Sequence, residues 1–263
     1  MRGSFEEFDD YTEPTGAAKA PVPLTCSEFA RQMLGFEPDE KQCQILDSEA
    51  LQGILNCSRQ WGKSTVMAAK AIYQAWMHDD CTVIIASPGL RQSRIMMRMC
   101  KDFYRILGLK PRGDGDNAIS LLFPNGSRIV GLPGRSDTVR GFSAALILVD
   151  EAAFVSDAMF HALGPMLAAT NGAMWLLSTP NGAQGFFHKV WRDGGDGWER
   201  YEAPAAECAR IRPEFLAREK RLRGDRRYAQ EYGCEFVDNG QTYFSRDVVM
   251  AAFDPNEKPF QGI

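Results

Sequence analysis

From residue 51 onward, short apolar runs alternate with longer stretches of helical period. Ile54–Cys57 is a short, mostly apolar run that reads as a strand. Lys63–His78 is long and rich in alanine, which predicts a helix. Thr82–Ala86 (TVIIA), Ala145–Val149 (ALILV) and Met174–Leu177 are β-branched or aliphatic blocks of strand length. Residues 90–107 have a helical pattern. Ile119–Phe123 and Arg128–Leu132 flank Asn125-Gly126, the dipeptide of a tight hairpin. Upstream, 26–34 predicts a short helix, and FEPDEKQCQIL begins a second. After about residue 205 the chain becomes charged, with one or two helices expected over 209–235. Residues 1–24, with several prolines and alanines behind an acidic front, read as a flexible lead-in.

Strands that alternate with helices imply an α/β fold. A mostly parallel central sheet is expected, with helices on both faces. In such sheets ligands collect at the carboxyl ends of the strands. Three polar segments fall there: the turn after Cys57, Asp150-Glu151, and Ser178-Thr179-Pro180.

Bulk properties narrow the class. A chain of 263 residues suits one large domain with an appendage. No apolar run is long enough to span a bilayer, and no charged-then-apolar leader opens the chain, so no membrane partner is expected. The seven cysteines are odd in number and form no C-x-x-C, which argues against a disulfide framework and a zinc site. Three widely spaced histidines offer no metal cluster. A net charge of -4 excludes a globally basic nucleic-acid coat and leaves room for a local basic patch.

The first polar segment, Cys57-Ser58-Arg59-Gln60-Trp61-Gly62-Lys63-Ser64, is one residue away from G-x-x-x-x-G-K-[ST], the phosphate-binding loop. Cys57 replaces the first glycine, which serves only the turn into the loop. The loop follows a strand and opens a helix, where backbone N–H groups and the helix dipole hold phosphates. ATP is thus expected along Ser58, Arg59, Gln60, Trp61, Gly62, Lys63, Ser64 and Thr65. Lys63 would neutralise the β- and γ-phosphates, and the Ser64 hydroxyl would bind Mg²⁺. ALILVDEAAF supplies the usual companion, a hydrophobic strand ending in two acids. Asp150 would hold the Mg²⁺, partly through water, and Glu151 would polarise the attacking water. Gln42, ahead of the first core strand, carries an amide able to pair with an adenine edge. Gln44 competes for that role, and a plain helix surface position accounts for either.

SRQWGKS, LILVDEAAF and LLSTPNGAQGFFHKVW together resemble the ATPase domain of the large terminase subunit of tailed bacteriophages. The likeness runs from about Gln42 to RRYAQEYGCEF near 236. It implies a P-loop NTPase fold of the RecA/ASCE-like type, with a core over 25–205. A small C-terminal helical lid subdomain and the start of a linker would then occupy 206–263. It further implies a Mg²⁺-dependent ATPase that drives double-stranded DNA into a procapsid. The implied partners are the portal protein, the small terminase subunit and further copies in a ring, with a monomer in isolation. The implied setting is the host cytoplasm. The family adds a C-terminal RNase H-like nuclease. Asp254 and Glu257 do not make its two-metal set, so no nuclease activity is expected of this chain.

Position by position, Gln42 matches the family's adenine-recognition glutamine, and Arg59 matches a γ-phosphate sensor. Ser178 and Thr179 match the coupling motif, although a turn before Pro180 also explains them. Arg140 falls where the family places an arginine finger inserted into the neighbouring subunit's site, with Arg135 as the nearest competitor. Helicases and remodellers share the two core motifs and form the alternative.

Two basic groups are candidates for DNA. Arg91, Arg94, Arg98, Lys101 and Arg105 recur at spacings of three and four, with Ile95, Met99, Phe103 and Ile106 expected on the opposite apolar side. Such a stripe suits phosphate contacts that ignore base identity, and it equally suits a solvated helix face. The second group runs from Arg210 and Arg212 through Arg226 and Arg227, diluted by acids.

Overall fold

Each aliphatic block forms a strand, because burial on both faces leaves no polar position for a helix surface. A computed structural model describes residues 24–113, 119–134 and 141–237. The elements in chain order are α1 (Cys26–Leu34), α2 (Glu40–Asp47), β1 (Gln52–Cys57), α3 (Lys63–Met77), β2 (Thr82–Ser87) and α4 (Leu90–Ile106). They continue with β3 (Ser120–Leu122), β4 (Arg128–Pro133), β5 (Leu146–Asp150), α5 (Asp157–Leu163), β6 (Ala173–Ser178), α6 (Gly185–Asp193) and β7 (Glu199–Ala203). Helices α7 (Pro213–Arg223) and α8 (Asp225–Tyr232) close the series. Among the described residues no helix is long and apolar enough to cross a membrane. The lead-in proper, Arg135, Arg140, Asp254 and Glu257 lie outside the described residues.

The strands form one sheet in the order β3-β4-β2-β5-β6-β1-β7. Every pairing is parallel except β3 with β4, the hairpin expected around Asn125-Gly126. The Asn125 amide also donates to the carbonyls of Ala75 and His78, at 3.0 and 3.1 Å, and so ties the hairpin to the end of α3.

Successive strand residues point to opposite faces. Leu55, Ile85, Leu148 and Leu177 enter the core beneath α1 to α4. Their neighbours Ile54, Ile84, Ile147 and Leu176 enter the core beneath α5 and α6. Gly53 has a packing reason: a Cβ there would lie 2.4 Å from the ring of Trp175, its partner across the β1–β6 pair. Trp175 is fully buried as a result.

Strand β7 and helices α5 and α6 had no clear signal in the sequence. β7 is an edge strand with the pattern Glu-Arg-Tyr-Glu-Ala, mostly exposed, so its pairing with β1 is set by the sheet and not by apolar content. The apolar side expected for α4 needs correction. Phe103 is buried, but Ile95 and Ile106 are exposed, at 45% and 57%. The packed face is Ser93, Met96, Met97, Cys100, Phe103 and Tyr104, rotated from the one the spacing suggested. Arg91, Arg94, Arg98 and Arg105 are exposed and Lys101 is half-buried. Arg105 pairs with Asp102 at 2.6 Å.

Helices α7 and α8 follow β7 and build a small cluster of their own from Ala205, Leu216 and Tyr232. All seven cysteines are free.

Candidate nucleotide site

β1 ends at Cys57, five residues turn, and α3 starts at Lys63. Cys57 is fully buried among apolar neighbours, and burial pushes its thiol well above its ordinary pKa. Its role is that of a small core residue. The loop backbone is held at its start: Ser58 N–H donates to the Ala203 carbonyl at 2.9 Å, and Arg59 N–H donates to the Glu231 carbonyl at 3.2 Å. Gln60 and Gly62 take positive φ, 65° and 100°. Gly62 caps α3 without a side-chain bond, and the N–H groups of Gly62, Lys63 and Ser64 meet no acceptor among the described residues. A run of free donors at a helix start is suited to an anion. Ser64 and Thr65 are half-buried one step further on.

The parallel register brings the other motifs to the same rim. Asn56 of β1 lies opposite Ser178 of β6, and Leu177 of β6 lies opposite Asp150 of β5. The Lys63 ammonium donates to the Thr179 hydroxyl at 3.3 Å and stands 3.8 Å from a Glu151 oxygen. The Ser178 hydroxyl donates to the Thr179 carbonyl at 2.8 Å. Lys63, Glu151 and Thr179 line one open cavity of about 680 Å³, together with Arg59, Gln60 and Arg91. Glu151 occupies the left-handed region, φ 50° and ψ 46°, which costs a non-glycine residue strain and is typical of functional turns.

Asp150 is only 4% exposed, and its Oδ1 has no hydrogen-bond partner. Burial raises its pKa to about 7; the neighbouring Glu151 adds to the rise and Lys63 opposes it. An orphaned, buried carboxylate oxygen fits a hard divalent cation that completes its shell with phosphate oxygens and water. No group of three acidic, histidine or cysteine ligands occurs among the described residues.

Two of the expected contacts have intramolecular partners. Gln42 is 1% exposed. Its Oε1 accepts from Asp39 N–H at 3.0 Å in the capping box of α2, and its Nε2 donates to the Trp61 carbonyl at 3.3 Å. Gln44 is exposed and lines a separate cavity of about 300 Å³ with Trp61 and Glu207. Arg59 reaches the same rim, but its guanidinium lies on the Glu231 carboxylate of α8.

Arg91 and Arg210 stand in the sequence only as DNA candidates, and Gln230 and Glu231 carry no expectation there; all four reach the loops at this rim. Arg91 belongs to the α4 stripe by spacing, and it also lines the cavity beside Lys63, Glu151 and Thr179. Arg210 donates to the Trp61 carbonyl. Gln230 accepts from Gly182 N–H at 3.1 Å, and Glu231 holds Arg59. Nothing local marks the contacts of Arg210, Gln230 and Glu231, because each acts across more than 45 positions of sequence.

Comparison with known proteins gives a consistent family. The large terminase subunits of Thermus virus P23-45 and Thermus phage G20c are each 24% identical over 250 residues, covering 81% of this chain and 52% of the relative. The chain thus spans about half the length of these relatives. The ATPase domain of the Thermus phage P74-26 large terminase superposes with a TM-score of 0.71 at 23% identity, covering 81% of this chain and all of that domain. The large terminase of bacteriophage D6E in complex with ATP-gamma-S superposes with a TM-score of 0.64 at 15% identity, covering 75% of this chain and 52% of that one. The family model for the terminase large subunit, T4likevirus-type, N-terminal, matches residues 54–249. The chain belongs to that terminase large subunit family.

Proposed function

We propose that this chain is the ATP-hydrolysing motor domain of a viral large terminase, driving double-stranded DNA into a procapsid. The observation that carries the reading is the meeting of Lys63, Glu151, Asp150 and Thr179 at the ends of β1, β5 and β6, in front of unpaired N–H groups. Relatives described as large terminases support the substrate class, and the D6E protein was seen with ATP-gamma-S.

The residues divide the work as follows. The Gly62, Lys63 and Ser64 N–H groups and the Lys63 ammonium bind the phosphates. To do so, Lys63 exchanges Glu151 and Thr179 for phosphate oxygens, which frees the Glu151 carboxylate to take a proton from water. Asp150 and Ser64 would hold Mg²⁺, which neutralises charge developing on the phosphates. Arg59 must leave Glu231 to reach a γ-phosphate. The Thr179 hydroxyl, in contact with Lys63, is placed to sense that exchange and pass it along β6, the coupling role. Gln42 reads adenine only by giving up one of its two protein bonds. Arg140, supplied by a neighbouring subunit, would spread charge in the transition state. The helical segment from residue 206 acts as the lid. The α4 arginines, from Arg94 to Arg105, offer sequence-independent phosphate contacts. Portal protein, small terminase subunit and further copies of the chain complete the machine at the portal in the host cytoplasm.

Phosphate release measured against protein concentration, with and without DNA and portal, tests the reading. Specific activity is expected to rise as subunits assemble and supply Arg140 in trans. Activity of a dilute monomer equal to that of the assembly removes the trans arginine. No phosphate release under any of these conditions removes the motor.

A further inference from the structure

We propose that Arg210 is a positioning residue of the phosphate loop, fixing with Gln42 the Trp61–Gly62 peptide so that its N–H faces bound phosphate. The inference rests on the nucleotide reading above and adds a residue and a mechanism to it. Arg210 lies in the segment between β7 and α7, and its guanidinium Nη2 donates to the Trp61 carbonyl. The Gln42 Nε2 donates to the same oxygen at 3.3 Å. A carbonyl oxygen has two acceptor positions, and here both are taken. No peptide bond among the described residues is cis. In a trans peptide the C=O and N–H point in opposite directions. Turning the oxygen toward Gln42 and Arg210 therefore turns the Gly62 N–H the other way, in line with the free donors of Lys63 and Ser64.

The loop needs this help because Gly62 does not choose an orientation for itself. At φ 100°, without a Cβ, alternative orientations of the peptide lie close in energy. A Cβ on Gly62 would meet Arg210 Nη2 at 3.2 Å and Gln42 Nε2 at 3.4 Å, so the two donors close directly over the peptide they hold. Gln42 is itself anchored by the α2 capping box. Arg210 has no carboxylate partner among the described residues. A guanidinium beside a helix N-terminus and Lys63 is unfavourable on charge alone. The Trp61 carbonyl compensates part of this charge, and a bound anion compensates the rest. The clamp also links the chain after β7 to the loop, so phosphate binding and the placement of that segment support each other.

The test uses Mg²⁺ with ATP, ADP or inorganic tripolyphosphate, titrated calorimetrically into wild-type protein, Arg210→Ala, Arg210→Lys, Gln42→Ala and the double variant. Arg210→Ala is expected to weaken all three ligands by about tenfold, the worth of one well-placed hydrogen bond. Arg210→Lys, which keeps a donor, is expected to recover most of that loss. In steady-state hydrolysis, KM rises while kcat stays within about twofold, the pattern of lost ground-state binding. The double variant is expected to lose less than the sum of the single losses in free energy, because both side chains act on one carbonyl. Unchanged affinity in Arg210→Ala, additive losses, or a loss seen with the nucleotides but not with tripolyphosphate each overturn the proposal. Wild-type protein that binds none of the three ligands overturns the nucleotide reading, and the clamp with it.

Discussion

The rim of the sheet and the segment after β7 contribute to one site by different routes. At the rim, Asp150, Glu151 and Thr179 lie at or just past the ends of β5 and β6, and the turn after β1 brings Lys63 to them, so strand pairing and one short turn assemble the group. After β7, Arg210, Gln230 and Glu231 reach the same loops by side-chain contacts, Arg210 from the segment before α7 and the other two from α8, which packs on a small core of its own. The proposed chemistry at the rim depends on charge type. The contacts from the later segment are single hydrogen bonds and one partly exposed ion pair, weaker links that a ligand can exchange.

Removing the carboxylate proposed as base is expected to have the largest effect. Glu151→Ala should lower turnover by roughly 10²–10⁴-fold, the usual worth of a positioned proton acceptor. Nucleotide affinity should change little, because Glu151 competes with phosphate for Lys63 and does not itself hold it. Parallel loss of affinity and turnover, measured by titration and by phosphate release, would assign Glu151 to binding instead.

The buried acid at the rim gives a stability effect with a definite sign. Asp150 titrates near 7 in the fold and near 3.8 when unfolded. Between those values the folded chain keeps a proton that the unfolded chain has lost, so stability falls as pH rises through the window. It levels off above about 7. Asp150→Asn should flatten that slope when thermal denaturation is followed in a metal chelator from pH 5 to 8. An unchanged slope would mean that another group carries it.

The smallest effect is expected in the later segment. Glu231→Gln releases Arg59 from a partly exposed ion pair. Such pairs are worth less than about 1 kcal/mol, so ATP should bind up to about fivefold more tightly. ADP should be indifferent, since the arginine is assigned to the γ-phosphate. Equal gains for both nucleotides would show that Glu231 restrains the loop as a whole and not its arginine.

The contrast also explains which parts were legible in the chain. The buried strands were visible because β-branched and aliphatic runs have few other uses. The phosphate loop was visible in spite of Cys57, since a small buried residue satisfies the same turn. β7 was hidden because an edge strand with four polar or aromatic residues owes its pairing to β1. The packed face of α4 is not legible from spacing, which shows that a stripe exists but not how the helix is rotated against its neighbours. Gln42 was picked out for its amide, and its ties to Asp39 and Trp61 were not foreseeable from composition.

By itself the chain determined which residue types stand at the strand ends and, through the alternation of strand and helix, that they share one rim. The folded structure decided their partners: Lys63 with Thr179 and Glu151, Arg59 with Glu231, and the Trp61 carbonyl between Gln42 and Arg210. The reason is range. Periodicity and motifs record interactions among near neighbours in sequence, whereas these partners become adjacent only when the sheet has closed and the last helices have packed against its loops.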